Sequence, residues 1–331
     1  MMLKRTIQSF CLLMMLGMSA CVKDSDQQQS GFDNNKINLV VADNFNLSAF
    51  SATLRRSALD QLLQKGEGPY TLLAPSDVAF NKYGYASPVA VLGADGNLIS
   101  RIAFYHTLDG KYELNKLPYL FNQELSSRGG KLFATHWIKG EDTVLTINGS
   151  RLLASNIPAS NGLIQVIDRV LEPYIHDRLG DAVAAESDIT LFAQALKTSG
   201  VLETINGAGP FTLFAPNNAA MKAGGYESVQ QILHTDPLQL KELVNYHIVR
   251  DRRFIYDYIL STGSSNTTKQ AMMNGNTVDI LLVGDPNAPG SFNSISLQGI
   301  GNTSASSLTR QDILTGNGVL HVIDGILRIV R

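Results

Sequence analysis

Two histidines stand directly behind tyrosines, Tyr105-His106 and Tyr246-His247, and an imidazole is the side chain most open to acid–base or metal chemistry near neutral pH. Neither helical stretch leading into these pairs offers a second His, Cys or acid at ligand spacing, so no metal site is expected. Each ring is expected to be a buried polar group, hydrogen-bonded within the fold. Asp168 and Asp324 each close an apolar run. Glycoside hydrolysis would need a second carboxylate across a cleft, and the sequence names none, so these acids are expected to accept backbone N–H bonds. His321 has Gln165 as its counterpart and is therefore not a shared feature. No Gly-x-Ser-x-Gly elbow, phosphate-cradling glycine loop or His-Glu-x-x-His motif occurs. The expectation is a protein that is not an enzyme and carries no cofactor. Tyr119, Phe121 and Trp137 could present aromatic faces to a sugar, although aromatics at ordinary spacing usually fill a core.

The N-terminus sets where such residues would work. Lys4 and Arg5 precede an uncharged apolar run over 7–18, followed by Ser19, Ala20 and Cys21. That order reads as a secretory signal peptide over 1–20, and the run is shorter than the roughly 20 residues a membrane span needs. Met18-Ser19-Ala20-Cys21 resembles the lipobox of bacterial lipoproteins, with Met18 where Leu is usual. The resemblance implies lipid on Cys21. Cys11 would leave with the signal, so Cys21 would be the only thiol of the mature chain and no internal disulfide could form. Residues 21–36 then read as a polar, lipidated tether. The expected location is the bacterial outer membrane, on its periplasmic or outer face.

The 331 residues suffice for two domains, and 44% hydrophobic with 17% charged content describes a chain that folds. Loss of Lys4 and Arg5 leaves 27 − 2 = 25 basic against 29 acidic residues, a balance that does not suggest a nucleic-acid partner. Arg250, Arg252 and Arg253 form the densest basic cluster and read as a solvated loop.

An internal repeat decides the organisation. Gly68-Pro69-Tyr70-Thr71-Leu72-Leu73-Ala74-Pro75-Ser76 returns as Gly209-Pro210-Phe211-Thr212-Leu213-Phe214-Ala215-Pro216-Asn217, an offset of 209 − 68 = 141. The Tyr-His pairs share that offset. Asn161-Gly162-Leu163-Ile164-Gln165-Val166-Ile167-Asp168 returns as Asn317-Gly318-Val319-Leu320-His321-Val322-Ile323-Asp324, 156 residues later by 324 − 168. Tyr70–Leu73 reads as a strand stopped at Pro75, with Ser76 and Asn217 as helix N-caps. Leu47, Phe50, Leu54, Ala58 and Leu62 recur at helical spacing and predict one core-facing stripe. Further amphipathic helices are expected over 98–106 and 238–247. The Asn-Gly pairs at 148, 161, 274 and 317 carry hairpin-turn chemistry. Helices come first and strands later in each copy, so the fold class is α+β.

These blocks resemble the fasciclin (FAS1) domain family. The resemblance implies two tandem domains, each a wedge of β-sheet flanked by short helices, over 37–173 and 186–331, joined by a linker over 174–185. It also implies a cell-adhesion or protein-interaction role, with the Tyr-His region contributing to contacts. The candidate interaction residues are Tyr105, His106, Tyr246, His247, Tyr119 and Trp137. The expected partner is an extracellular or envelope protein; the alternative is a polysaccharide, held at the copy-one aromatics or at the polar loops over 261–269 and 284–294.

Overall fold

The computed structural model describes residues 33–330; the segment read as a signal peptide, Cys21 and the segment read as a tether, as far as residue 32, lie outside the described residues. Residues Asn34–Arg331 form one compact unit that holds both copies. Copy one contributes β1 (Tyr70–Pro75), β2 (Thr107–Asp109), β3 (Gln123–Ser127), β4 (Gly130–Lys139), β5 (Asp142–Ile147), β6 (Ser150–Ala159) and β7 (Gly162–Ile167), in the sheet order β2-β1-β7-β6-β5-β4-β3. Copy two repeats that order with β8 (Phe211–Pro216), β9 (Ile248–Val249), β10 (Thr267–Ala271), β11 (Thr277–Gly284), β12 (Phe292–Gly299), β13 (Ser306–Thr315) and β14 (Gly318–Ile323). The repeated apolar blocks lie in the middle of each sheet, where β1 runs parallel to β7 and β8 parallel to β14. Each sheet curls until its edges meet. Arg128 N, just past β3, donates to Thr107 O of β2 at 2.8 Å, and Met273 N, past β10, donates to Ile248 O of β9 at 2.7 Å. Helices cover the open face of each barrel-like sheet and fill it with Phe50, Leu54 and Ile102 in copy one and Phe192, Leu196 and Val244 in copy two.

The helix starts follow the sequence. Ser76 Oγ accepts from Ala79 N at 3.2 Å, and Asn217 Oδ1 accepts from Ala220 N at 2.7 Å. Asp77 also reaches back to a second helix, accepting from Ala49 N at 2.8 Å and Ser48 Oγ at 2.6 Å, and Asn218 serves Leu191 N in the same way. The predicted stripe breaks, however. Leu47, Phe50 and Leu54 are buried, but the helix Ser48–Arg56 ends at Ser57, Ala58 takes φ 57°, and a new helix, Leu59–Lys65, buries Leu59 and Leu63 and leaves Leu62 outside. The break turns the helical register. Copy two has Gly200 at φ 73° at the corresponding place, the residue that tolerates this geometry most easily.

Two of the Asn-Gly pairs do more than turn the chain. Asn148 and Gly149 have φ 47° and 75°, as a two-residue hairpin demands. Asn161 and Asn317 stand in the two-residue turns before β7 and β14 and also use their side chains. Asn161 Oδ1 accepts from Ile37 N at 2.8 Å while its Nδ2 donates to Leu63 O at 2.8 Å and Gly66 O at 3.0 Å. Asn317 repeats this with Leu179 N, Ile205 O and Gly207 O. Gly162 and Gly318 are needed for space, since a Cβ there would sit 2.2 Å from Tyr70 O and 2.3 Å from Phe211 O. Asn161→Ala should therefore cost about 2 kcal/mol in urea unfolding, because it strands buried backbone groups. A cost near zero would mean that Asn161 does not tie these three segments together.

Asn317 also shows where copy two starts to pack. The helix Leu179–Ala185 places Leu179, Ala182 and Val183 in the core of copy two, as Ile37–Ala42 places Ile37 and Val41 in copy one. The packed body of copy two thus begins inside the segment read as a linker.

Candidate functional site

Tyr105, His106, Tyr246 and His247 are all buried, with Tyr246, at 1%, the most exposed. None of them offers a face to a partner in this conformation. Each His is an internal post. His106 Nδ1 donates to Ile102 O at 2.8 Å, and its Nε2 accepts from Leu171 N at 3.1 Å, which ties the helix Gly96–Tyr105 to the segment after β7. His247 does the same with Leu243 O at 2.8 Å and Leu327 N at 3.0 Å. An Nε2 that accepts from an amide must be unprotonated, and burial pushes both rings down to about 4. Each Tyr hydroxyl crosses the barrel, Tyr105 to Lys131 O at 2.8 Å and Tyr246 to Thr277 O at 2.6 Å. Asp168 accepts from Arg151 N at 2.9 Å and Asp324 from Ser307 N at 2.7 Å, the backbone role expected of them.

Charged and aromatic residues that the sequence left scattered converge where the two copies meet. The cluster read as a solvated loop is part of this joint. Arg252 is 5% exposed and lies 3.8 Å over the Phe133 ring of copy one. Its guanidinium donates to Thr315 O, Gly316 O and Gly318 O at 3.0–3.1 Å, and burial lowers it to about 10, so it stays charged at neutral pH. Arg253 lies 4.6 Å over Phe121, whose other neighbour is Trp137 at 4.5 Å. Phe254 is buried against Phe133 and Val319. Asp257, in the helix Ile255–Ser261, accepts from Thr135 Oγ1 at 2.9 Å, Asn122 Nδ2 at 3.0 Å and Phe254 N at 2.9 Å. Arg169 pairs with Asp312 at 2.8 Å, and Asp312 in turn accepts from Ile255 N at 2.8 Å. Lys139 Nζ donates to Thr262 O. Gly149 has a second reason to be glycine, because a Cβ there would meet Phe254 Cβ at 2.9 Å.

The joint runs head to tail. Copy two offers a loop and helix, and copy one offers the outer face of β4 with its neighbours. The copy-one counterpart of Arg252–Asp257 is Lys111–Lys116, where Glu113 pairs with Lys111 and Lys116. The copy-two counterpart of Phe133 is Asp279, paired with Lys269 at 2.7 Å.

Trp137 is half-buried in the Arg253–Phe121 stack, so the joint accounts for it. Tyr119 is 50% exposed and lies 4.3 Å from the His136 ring, beside the exposed Leu120 and Ile138. No group of His, Cys, Asp and Glu fit to hold a metal occurs among the described residues.

Both copies match a known family. A model of the Fasciclin domain fits residues 45–173 and 187–329. The chain belongs to the fasciclin domain family. Human periostin is 30% identical over 286 residues, which is 84% of this chain and 30% of periostin. Transforming growth factor-beta-induced protein ig-h3 of Oryctolagus cuniculus is 26% identical over 270 residues, 80% of this chain and 35% of the relative. The chain thus spans about a third of the length of these curated relatives. The structure of a FAS1 domain pair from the insect cell adhesion molecule Fasciclin I covers 85% of this chain and 95% of its own, with 17% identity and a TM-score of 0.42.

Within the fasciclin frame, the Tyr-His pairs and Asn161 and Asn317, present in both copies, serve each domain, while Arg252, Phe254 and Asp257, present in copy two alone, serve the joint. Arg252, Phe254 and Asp257 were not singled out as partners for copy one because their contacts lie more than a hundred residues away. The one available signal was that copy one has Lys, Glu and Lys at those three positions.

Proposed function

We propose that the chain is a lipid-anchored envelope protein whose two fasciclin domains act as one rigid adhesion module toward an extracellular or envelope protein. The joint carries this reading: a buried arginine, a buried carboxylate and a buried phenylalanine hold the two domains as a single body, so a partner meets one fixed surface. Membership in a family of domains found in adhesion proteins supports the role, and no helix among the described residues is long and apolar enough to cross a membrane. Lipid on Cys21 would supply the attachment. The test displays the chain on cells and measures their retention on immobilised extracellular proteins, with palmitate labelling of wild type and Cys21→Ser alongside. Retention that needs both the chain and Cys21 supports the reading; retention equal to that of bare cells sinks it.

A second reading, capture of a polysaccharide, draws on the exposed face of Tyr119. Tyr119→Ala should then abolish binding on a glycan array, while Trp137→Ala should act through the joint. A blank array for the wild type removes this reading.

A further inference from the structure

We propose that the joint between the two domains is a proton-operated lock, in which uptake of one proton by Asp257 tightens the seat of copy two on copy one. Asp257 is fully buried and forms no ion pair among the described residues. Arg253 acts on it through space and favours its charged form, while the other charged groups around it are committed elsewhere. Arg253 Nε holds Asp251 at 2.8 Å, Arg252 holds three carbonyls, Arg169 holds Asp312 and Lys139 holds Thr262 O. Tyr258, beside it on the helix, has a buried hydroxyl with no partner among the described residues, as has Arg253 Nη1. From copy one, β4 and β5 present Phe133, Thr135, Trp137, Val144 and Thr146 on this face, with Lys139 and Asp142 at its far end, while His136 points to the other side because strand side chains alternate.

The hydroxyls give the proton a place. Thr135 Oγ1 now donates to Asp257 Oδ1 at 2.9 Å. Thr146 lies directly opposite Thr135 across the strand pair, and its Oγ1 is buried without a partner. Residues directly opposite are close enough for Thr–Thr hydrogen bonds. A proton taken from solvent onto Asp257 Oδ1 converts the carboxylate to a carboxylic acid that donates to Thr135 Oγ1. The Thr135 proton is then free to turn to Thr146 Oγ1. One buried charge disappears and one orphaned acceptor is satisfied.

Burial holds this carboxyl at about 6, against 3.8 for an ordinary aspartate. A folded value above the open one means that closure is fully favoured below the open value and loses that advantage as pH rises through about 6. Between pH 7.5 and pH 5 the opening equilibrium should therefore fall about tenfold.

Amide hydrogen exchange on the full chain tests this, with rates corrected for the intrinsic effect of pH. The amides of Phe254 and Asn122, bonded to Asp257 and to Thr135 Oγ1, should gain about tenfold in protection at pH 5 relative to amides of β1. In Asp257→Asn the gain should vanish. In Thr146→Val, which keeps the carboxyl and removes the final acceptor, it should shrink. Equal protection of Phe254 and Asn122 at both pH values, or a full gain in Asp257→Asn, overturns the lock; a full gain in Thr146→Val overturns the hydroxyl relay.

Discussion

Acidification from pH 7 to pH 4 is expected to cost the folded chain about 3 kcal/mol at each of His106 and His247. Both rings are held down to about 4 by burial, from an unfolded value of 6.5. Above 6.5 neither state carries the proton and the folded chain has its full advantage. Below it, the unfolded chain takes up protons that the folded one refuses, so stability falls until the folded rings titrate near 4. Domains commonly hold only about 5–15 kcal/mol, so this loss is large. Urea unfolding at half-unit pH steps reads it directly. Asp257 opposes the trend, because its folded value is raised, so the series belongs in the Asp257→Asn background as well. His106→Gln should be weaker at pH 7 yet lose part of the slope, the rest coming from His247 and from His321, whose ring burial also lowers. A pH-independent midpoint between 6.5 and 4 would mean that the rings are not neutral, buried acceptors.

Phe254→Ala should cost about 3–5 kcal/mol and divide the unfolding transition in two. The ring fills a dry socket made with Phe133 and Val319, and nothing nearby can collapse into the space it leaves. Phe133 is pinned under Arg252, and Gly149 already touches the Phe254 Cβ. The cavity would therefore persist between the domains rather than inside one. Differential scanning calorimetry should show one joint transition for the wild type and two separated ones for the variant. A single transition with an unchanged midpoint would place the coupling of the domains elsewhere.

Much of the fold could be read before the structure because its signals are local. The strand stopped at Pro75, the caps at Ser76 and Asn217, and the hairpin at Asn148-Gly149 each depend on a few adjacent residues and stand where expected. The helical stripe failed at Ala58, since an alanine gives no hint of a left-handed backbone; Gly200 in the other copy did give one. Asn161-Gly162 has the composition of a turn, yet it acts through a side chain and a close approach that only tertiary packing creates. The joint was the least legible part. An arginine triplet on a loop looks solvated until Phe121 and Phe133, more than a hundred residues earlier, are placed beneath it. Burial of the histidines follows from their role as polar posts, whereas a part in contacts came from the family resemblance alone.

The head-to-tail joint has a consequence for assembly. Two like units that meet through unlike faces leave one of each face over, and such a pairing can continue without limit unless the leftover faces are altered. Here they are. The spare loop carries Lys111, Glu113 and Lys116 in place of Arg252, Phe254 and Asp257, and the spare strand face carries the Lys269–Asp279 pair in place of Phe133. Neither has the aromatic plug or its dry seat. The same charges that keep these faces in water act as stops, as the polar outer repeats do in solenoid proteins, and the pairing chemistry ends at two.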